Sequence, residues 1–209
     1  MRLSVIGASA GVGLETVREA LRRGHAVTTL SRTVATLPDD QGLTIVAGKS
    51  IDPLAVAKAI AGADAIVVTL GRGKDTQPTT LFTDSAKVLL EVLARSGQRP
   101  PLIVLTGFGA GDSWKYNPLP MRIFFRLFLK AVYANKSEME RMIAAAYPAC
   151  EFVRPGRLTD QPASRAYHVL LGLDRRMKVG AISRADVADY LVTEAEQRKY
   201  LGRYPALSG

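Results

Sequence analysis

The 209 residues include 28 Lys or Arg against 19 Asp or Glu, a formal charge of +9, with 47% hydrophobic and 22% charged side chains. This is ordinary globular usage, which excludes a disordered or fibrous chain, and the length suits one domain spanning 1–209 with no disulfide or metal staples. The one cysteine, Cys150, excludes an internal disulfide and a Cys-rich zinc site, and fits a reducing, cytoplasmic compartment.

Residues 3–6 form a short apolar run ending at Gly7. The run resembles a secretory leader, but it is too short for the apolar region such a leader needs. It reads as a strand. Val12, Val17, Ala20 and Leu21 recur among Glu15, Arg18, Glu19, Arg22 and Arg23, so an amphipathic helix comes next, stopped at Gly24. Residues 25–30 and 43–47 give two further strands, and Ser50 or Asp52 ahead of Pro53 opens a second helix. Residues 64–70 are nearly all apolar, as in a strand covered on both faces. A helix over 79–95 ends at Gly97, a strand occupies 102–106, and the longest helical pattern runs from 121 to 146. Residues 150–154 are a sixth strand, stopped by Pro155-Gly156, and a helical stretch over 184–197 lies between short extended runs. Strands alternating with helices indicate an α/β fold, a doubly wound Rossmann-like parallel sheet with a small C-terminal elaboration beside it.

The loop between the first strand and helix reads Gly7-Ala8-Ser9-Ala10-Gly11-Val12-Gly13. Glycines in that position allow a sharp turn, close approach of backbone to a pyrophosphate, and close helix–strand packing. The helix N-terminus behind them offers free N–H groups and a positive dipole end. Ser9 also fits Gly-x-Ser-x-Gly by letters, but it opens a dinucleotide loop, and a hydrolase is the lesser reading. At the end of the second strand, where an acid would hold a ribose 2′-hydroxyl, the chain has Ser31-Arg32-Thr33. A guanidinium there suits a 2′-phosphate, so NADP (as NADPH) is the expected cofactor. His25 and His168 are isolated, and no cluster has metal-ligand spacing; no metal is expected. The positive charge lacks a Lys/Arg tract or an RNA-binding aromatic signature, so nucleic acid is not an expected partner.

Together with residues 61–68, 104–111, 153–160 and 182–189, these motifs resemble the atypical short-chain dehydrogenase/reductases, in the branch of biliverdin-IXβ reductase, flavin-reductase-like and NmrA-like proteins. The resemblance covers nearly the whole chain. It implies a dinucleotide lying across the C-terminal strand ends, lined by Thr69, Leu70 and Gly71, by Thr106, Gly107 and Phe108, and by Pro155, Gly156, Arg157 and Leu158. One departure stands out. The wider family's Tyr-x-x-x-Lys is here Tyr133-Ala134-Asn135-Lys136, a spacing of three. Tyr133 is either a catalytic acid or packed against the sheet, and Lys136 resembles the lysine kept near the nicotinamide ribose.

Arg122, Arg126 and Lys130 recur every four residues among Phe124, Phe125, Leu127, Phe128 and Leu129. The pattern reads as a helix with its apolar side in the core and a solvated basic face, rather than a lid or a membrane contact. Two functions remain. One is an NADPH-dependent oxidoreductase reducing a small-molecule flavin, quinone or similar conjugated acceptor, in a pocket built from Phe108, residues 114–120 and the loop after Leu158. Glycines at 107, 109 and 111 would let backbone N–H groups approach the cofactor or acceptor. The other is a non-catalytic NADP-binding redox sensor.

Overall fold

The computed structural model describes residues 1–73, 75–174 and 179–209. Six strands make the expected parallel sheet: β1 (Arg2–Ile6), β2 (Ala26–Ser31), β3 (Leu43–Ala47), β4 (Ala65–Val68), β5 (Leu102–Leu105) and β6 (Cys150–Pro155). Their spatial order is 3-2-1-4-5-6. The chain therefore reverses direction across the sheet between β1 and β4, and a crevice opens there at the C-terminal strand ends.

Helices cover both faces. α1 (Gly11–Arg22) packs against α6 (Arg184–Gln197) on one side, around Val5, Val17, Val67, Ile103 and Leu191. α2 (Pro53–Ile60), α3 (Leu81–Ser96) and α5 (Lys130–Ala146) cover the other, around Ile6, Ile66, Phe82, Val104 and Met139. Of the two caps expected for α2, Asp52 holds the position, accepting from the Leu54 and Ala55 N–H groups. Gly97 closes α3 with φ 69°, the left-handed turn expected there.

The C-terminal elaboration widens the sheet. β10 (Ala206–Ser208) runs parallel to β6, and β8 (His168–Leu170) pairs antiparallel beyond it. A separate two-stranded ribbon joins β7 (Arg157–Thr159) to β9 (Ala181–Ser183). Two of the motifs quoted above thus meet as neighbours, Leu158 opposite Ile182.

The long helix read over 121–146 differs most from expectation. It is divided into α4 (Leu119–Phe124), a π-helical turn over Phe125–Leu129, and α5. One extra residue in a turn rotates the face beyond it by roughly 100°. The apolar stripe of α4 is therefore not continuous with Val132, Met139 and Ile143, which are buried in α5. No residue of α4 is buried, so its apolar side is not in the core.

Candidate functional site

The β1–α1 crossing is so close that two glycines are required. A Cβ on Gly13 would stand 2.1 Å from the Gly7 carbonyl oxygen and 2.7 Å from Thr69 Oγ1. Gly7 has φ +95°, and a Cβ there would meet the Thr69 backbone at 2.9 Å. The loop is held from its neighbours. Buried Ser31 accepts from the Ala8 N–H at 3.0 Å, the Thr69 hydroxyl donates to the Gly7 carbonyl at 3.1 Å, and the Thr36 hydroxyl donates to the Ser9 carbonyl at 2.6 Å.

The start of α1, in contrast, is left open. Ala10, its N-cap, offers no side-chain acceptor, and the first turn contains no acid. The helix presents its unpaired N–H groups and positive dipole end with nothing of its own to neutralise them. Arg184 adds charge, its Nε 3.6 Å from where a Gly11 Cβ would lie and its guanidinium paired with exposed Asp160 at 2.6 Å. Arg32, exposed at the end of β2, has no ion-pair partner among the described residues.

At the far end of the crevice stand Tyr133 and Lys136, both on α5. A Cβ on Gly107 would lie 2.9 Å from the Tyr133 hydroxyl, so that residue's bareness leaves room for the phenol. Burial pushes the Tyr133 hydroxyl up to about 12. The Lys136 ammonium donates to the Thr106 carbonyl at 2.5 Å and lies over the Phe82 and Tyr133 rings at 5.2 and 5.5 Å. Burial brings Lys136 down to about 8, against the opposing pull of Glu140.

The loop after β5 is tied to α5 and β6. The Thr106 hydroxyl donates to Glu140 Oε1 at 2.7 Å, and Arg154 holds both Glu140 oxygens, at 3.1 and 2.7 Å, while also reaching Asp112. Arg154 and Glu140 are 2% and 3% exposed, so each depends on the other for its charge to be tolerated there. The Gly109 and Gly111 N–H groups donate to Ser113 and Ser137. The approach of backbone N–H groups expected at these glycines is thus corrected at 109 and 111, where they are spent inside the protein. Phe108 is itself buried, its N–H bonded to the Pro155 carbonyl, so its ring is loop packing rather than an open pocket wall.

Residues 7–198 match the family described as NAD(P)H-binding. The chain belongs to that family. A curated relative, the reductase pytE of Aspergillus terreus, is 25% identical, with 96% of this chain and 95% of that protein covered. Among solved structures, ChuY, an anaerobilin reductase from Escherichia coli O157:H7, is 22% identical with a TM-score of 0.80, covering 100% and 97% of the two chains. SP1627, a candidate NADH-flavin reductase from Streptococcus pneumoniae TIGR4, is 21% identical with a TM-score of 0.80, covering 100% and 99%. At these identities the structures show a shared fold.

An NAD(P)H-binding chain needs a place for a pyrophosphate, and the uncapped, acid-free start of α1 suits one. Residues 7–13, 31–32, 69–71, 106–108 and 155–158 all lie at or just beyond the C-terminal ends of β1, β2, β4, β5 and β6. His25 is a strand-end residue bonded to Glu196 at 2.7 Å. Sequence reasoning missed Arg184, Asn135, whose Oδ1 accepts from the Phe82 and Thr83 N–H groups at the start of α3, and the Glu140–Arg154 pair. For the last a signal existed. An arginine in a strand buried on both faces requires a buried acid, and Glu140 lies one helical turn beyond Lys136.

Proposed function

We propose that this NAD(P)H-binding protein is an NADPH-dependent reductase of a planar conjugated acceptor, such as a flavin, a quinone or an open-chain tetrapyrrole. When bound, NADPH supplies a hydride from its nicotinamide ring. Residues 7–13 would hold the pyrophosphate on the α1 N-terminus, with Arg184 beside it, and Arg32 would take the 2′-phosphate. Residues 69–71, 106–108 and 155–158 and the Lys136 ammonium would line the path to the nicotinamide. The names of pytE and ChuY, a reductase and an anaerobilin reductase, favour reduction. The NADH in the name of SP1627 is outweighed here by Arg32 standing where an acid would select NAD.

The choice of acceptor is carried by Tyr133. A proton donor for simple carbonyls works best with a pKa near the working pH, lowered by an adjacent ammonium. The Tyr133 phenol is instead pushed up to about 12 by its burial, and the Lys136 ammonium donates to the Thr106 carbonyl. Such a tyrosine is a poor acid. A conjugated acceptor, whose reduced form can take its proton from water, does not need one.

The experiment is NADPH oxidation against flavins, quinones, tetrapyrroles and aldehydes, with Tyr133→Phe alongside. Turnover of a conjugated acceptor that Tyr133→Phe changes by no more than a few-fold supports the proposal. Aldehyde turnover that Tyr133→Phe lowers by about 10²–10⁴ would replace it with ordinary carbonyl reduction. NADPH binding with no turnover of any acceptor would replace it with the sensor.

A further inference from the structure

The segment between the β5 loop and α5 has a surface unlike the rest of the chain. Leu119, Ile123, Leu127 and Phe128 are each more than half exposed, and Trp114, Met121 and Phe124 are 40–47% exposed. Lys115, Arg122, Arg126 and Lys130 are interleaved with them, all exposed, and the sequence has no Asp or Glu between Asp112 and Glu138. Arg122 lies over the Trp114 ring at 5.2 Å, while Lys115, Arg126 and Lys130 have no ion-pair partner among the described residues. A solvated basic helix would place its apolar side chains inward; here Leu119, Ile123, Leu127 and Phe128 face out beside the cations.

We propose that residues 114–130 dock the protein on an anionic phospholipid bilayer. Aromatic and aliphatic side chains that enter the acyl boundary, flanked by cations that meet the headgroups, are what such a surface requires. Charge selects this occupant over a second copy of the chain. Two identical faces brought together would set the same four cations against one another, with no acid in either segment to offset them. The sequence pattern alone pointed away from a membrane contact, and burial reverses it: α4 contributes nothing to the core. Because the segment leads directly into α5, docking would bring Tyr133, Lys136 and the loop 106–113 close to the bilayer. The proposal stands whether or not an acceptor is reduced.

The test is co-sedimentation of the full chain with vesicles of phosphatidylglycerol mixed with phosphatidylcholine, and with vesicles of phosphatidylcholine alone, at low and high salt. Binding to the anionic vesicles alone, weakened by salt, is expected. Arg126→Glu with Lys130→Glu should lower that affinity at least about tenfold. Leu127→Ser with Phe128→Ser should do the same, and with these side chains exposed the far-ultraviolet spectrum and melting temperature should be unchanged. Equal sedimentation with both vesicle types, or with neither, would overturn the proposal. So would a dimer in light scattering that Leu127→Ser with Phe128→Ser dissolves, since the face would then belong to a second copy. Absence of vesicle binding with a raised acceptor KM in the same variants would overturn it in favour of a lid.

Discussion

Two helices begin at the same edge of this sheet, and they are finished differently. α3 is closed by side chains. Asn135 Oδ1 on α5 accepts from the Phe82 and Thr83 N–H groups at 3.0 and 3.4 Å, Thr79 accepts from Leu81, and Asp84 sits in the first turn. α1 has none of this: Ala10 at its N-cap, no acid in its first turn, and glycine where a Cβ would block approach. A parallel sheet delivers several positive helix ends to one edge, and this chain caps that of α3 with side chains while that of α1 has no side-chain cap and no acid in its first turn. Of the residues that seal α3, Asn135 belongs to the same stretch that carries Tyr133 and Lys136. The irregular spacing of that pair thus coexists with a structural duty for Asn135, one of the two residues between them.

The contrast can be broken at several points. Gly13→Val should have the largest effect, because a branched side chain cannot stand 2.1 Å from the Gly7 carbonyl. Titration calorimetry should find no binding of either dinucleotide, with circular dichroism confirming a folded chain; retained affinity in the folded variant would detach the loop from the cofactor. Arg32→Ala should be smaller and selective. Loss of a charge-assisted contact of about 1.5–3 kcal/mol weakens NADPH roughly ten- to 150-fold and leaves NADH unaltered. Equal affinities for the two dinucleotides in the unmodified protein would contradict the role given to that arginine. Asn135→Ala should be smaller still and of another kind. It uncaps α3 and should cost about 0.5–2 kcal/mol in denaturant unfolding, while NADPH affinity stays within a few-fold. A large affinity loss there would mean that the α3 terminus also serves the cofactor.

The parallel sheet and the glycine-rich turn after β1 were legible in the sequence because both rest on local patterns. Apolar runs alternating with amphipathic segments give the parallel sheet, and glycines at 7, 11 and 13 mark the turn between one strand and one helix. The role of Ser31 was half visible: its position at the end of β2 was readable, its bond to the Ala8 N–H was not. Arg184 lies beside Gly11 only because α6 packs on α1, a contact between distant parts of the chain. The division of the long helix was not legible either, since Phe128 and Val132 are spaced as neighbours on one regular helix. The π turn that contains Phe128 separates an exposed face from a buried one.

The central claim is that the start of α1 is left empty for a phosphate, and Ala10→Asp tests it most directly. Ala10 is exposed, with φ −159° and ψ 165°, an extended conformation suited to a capping carboxylate. An aspartate there would satisfy the free N–H groups and should raise stability by about 0.5–2 kcal/mol. The same carboxylate would occupy the site and repel the pyrophosphate. The expected result, from thermal unfolding and NADPH titration on one preparation, is a higher melting temperature together with at least about a tenfold loss of affinity. A stabilised protein that binds NADPH as tightly as before would contradict the account.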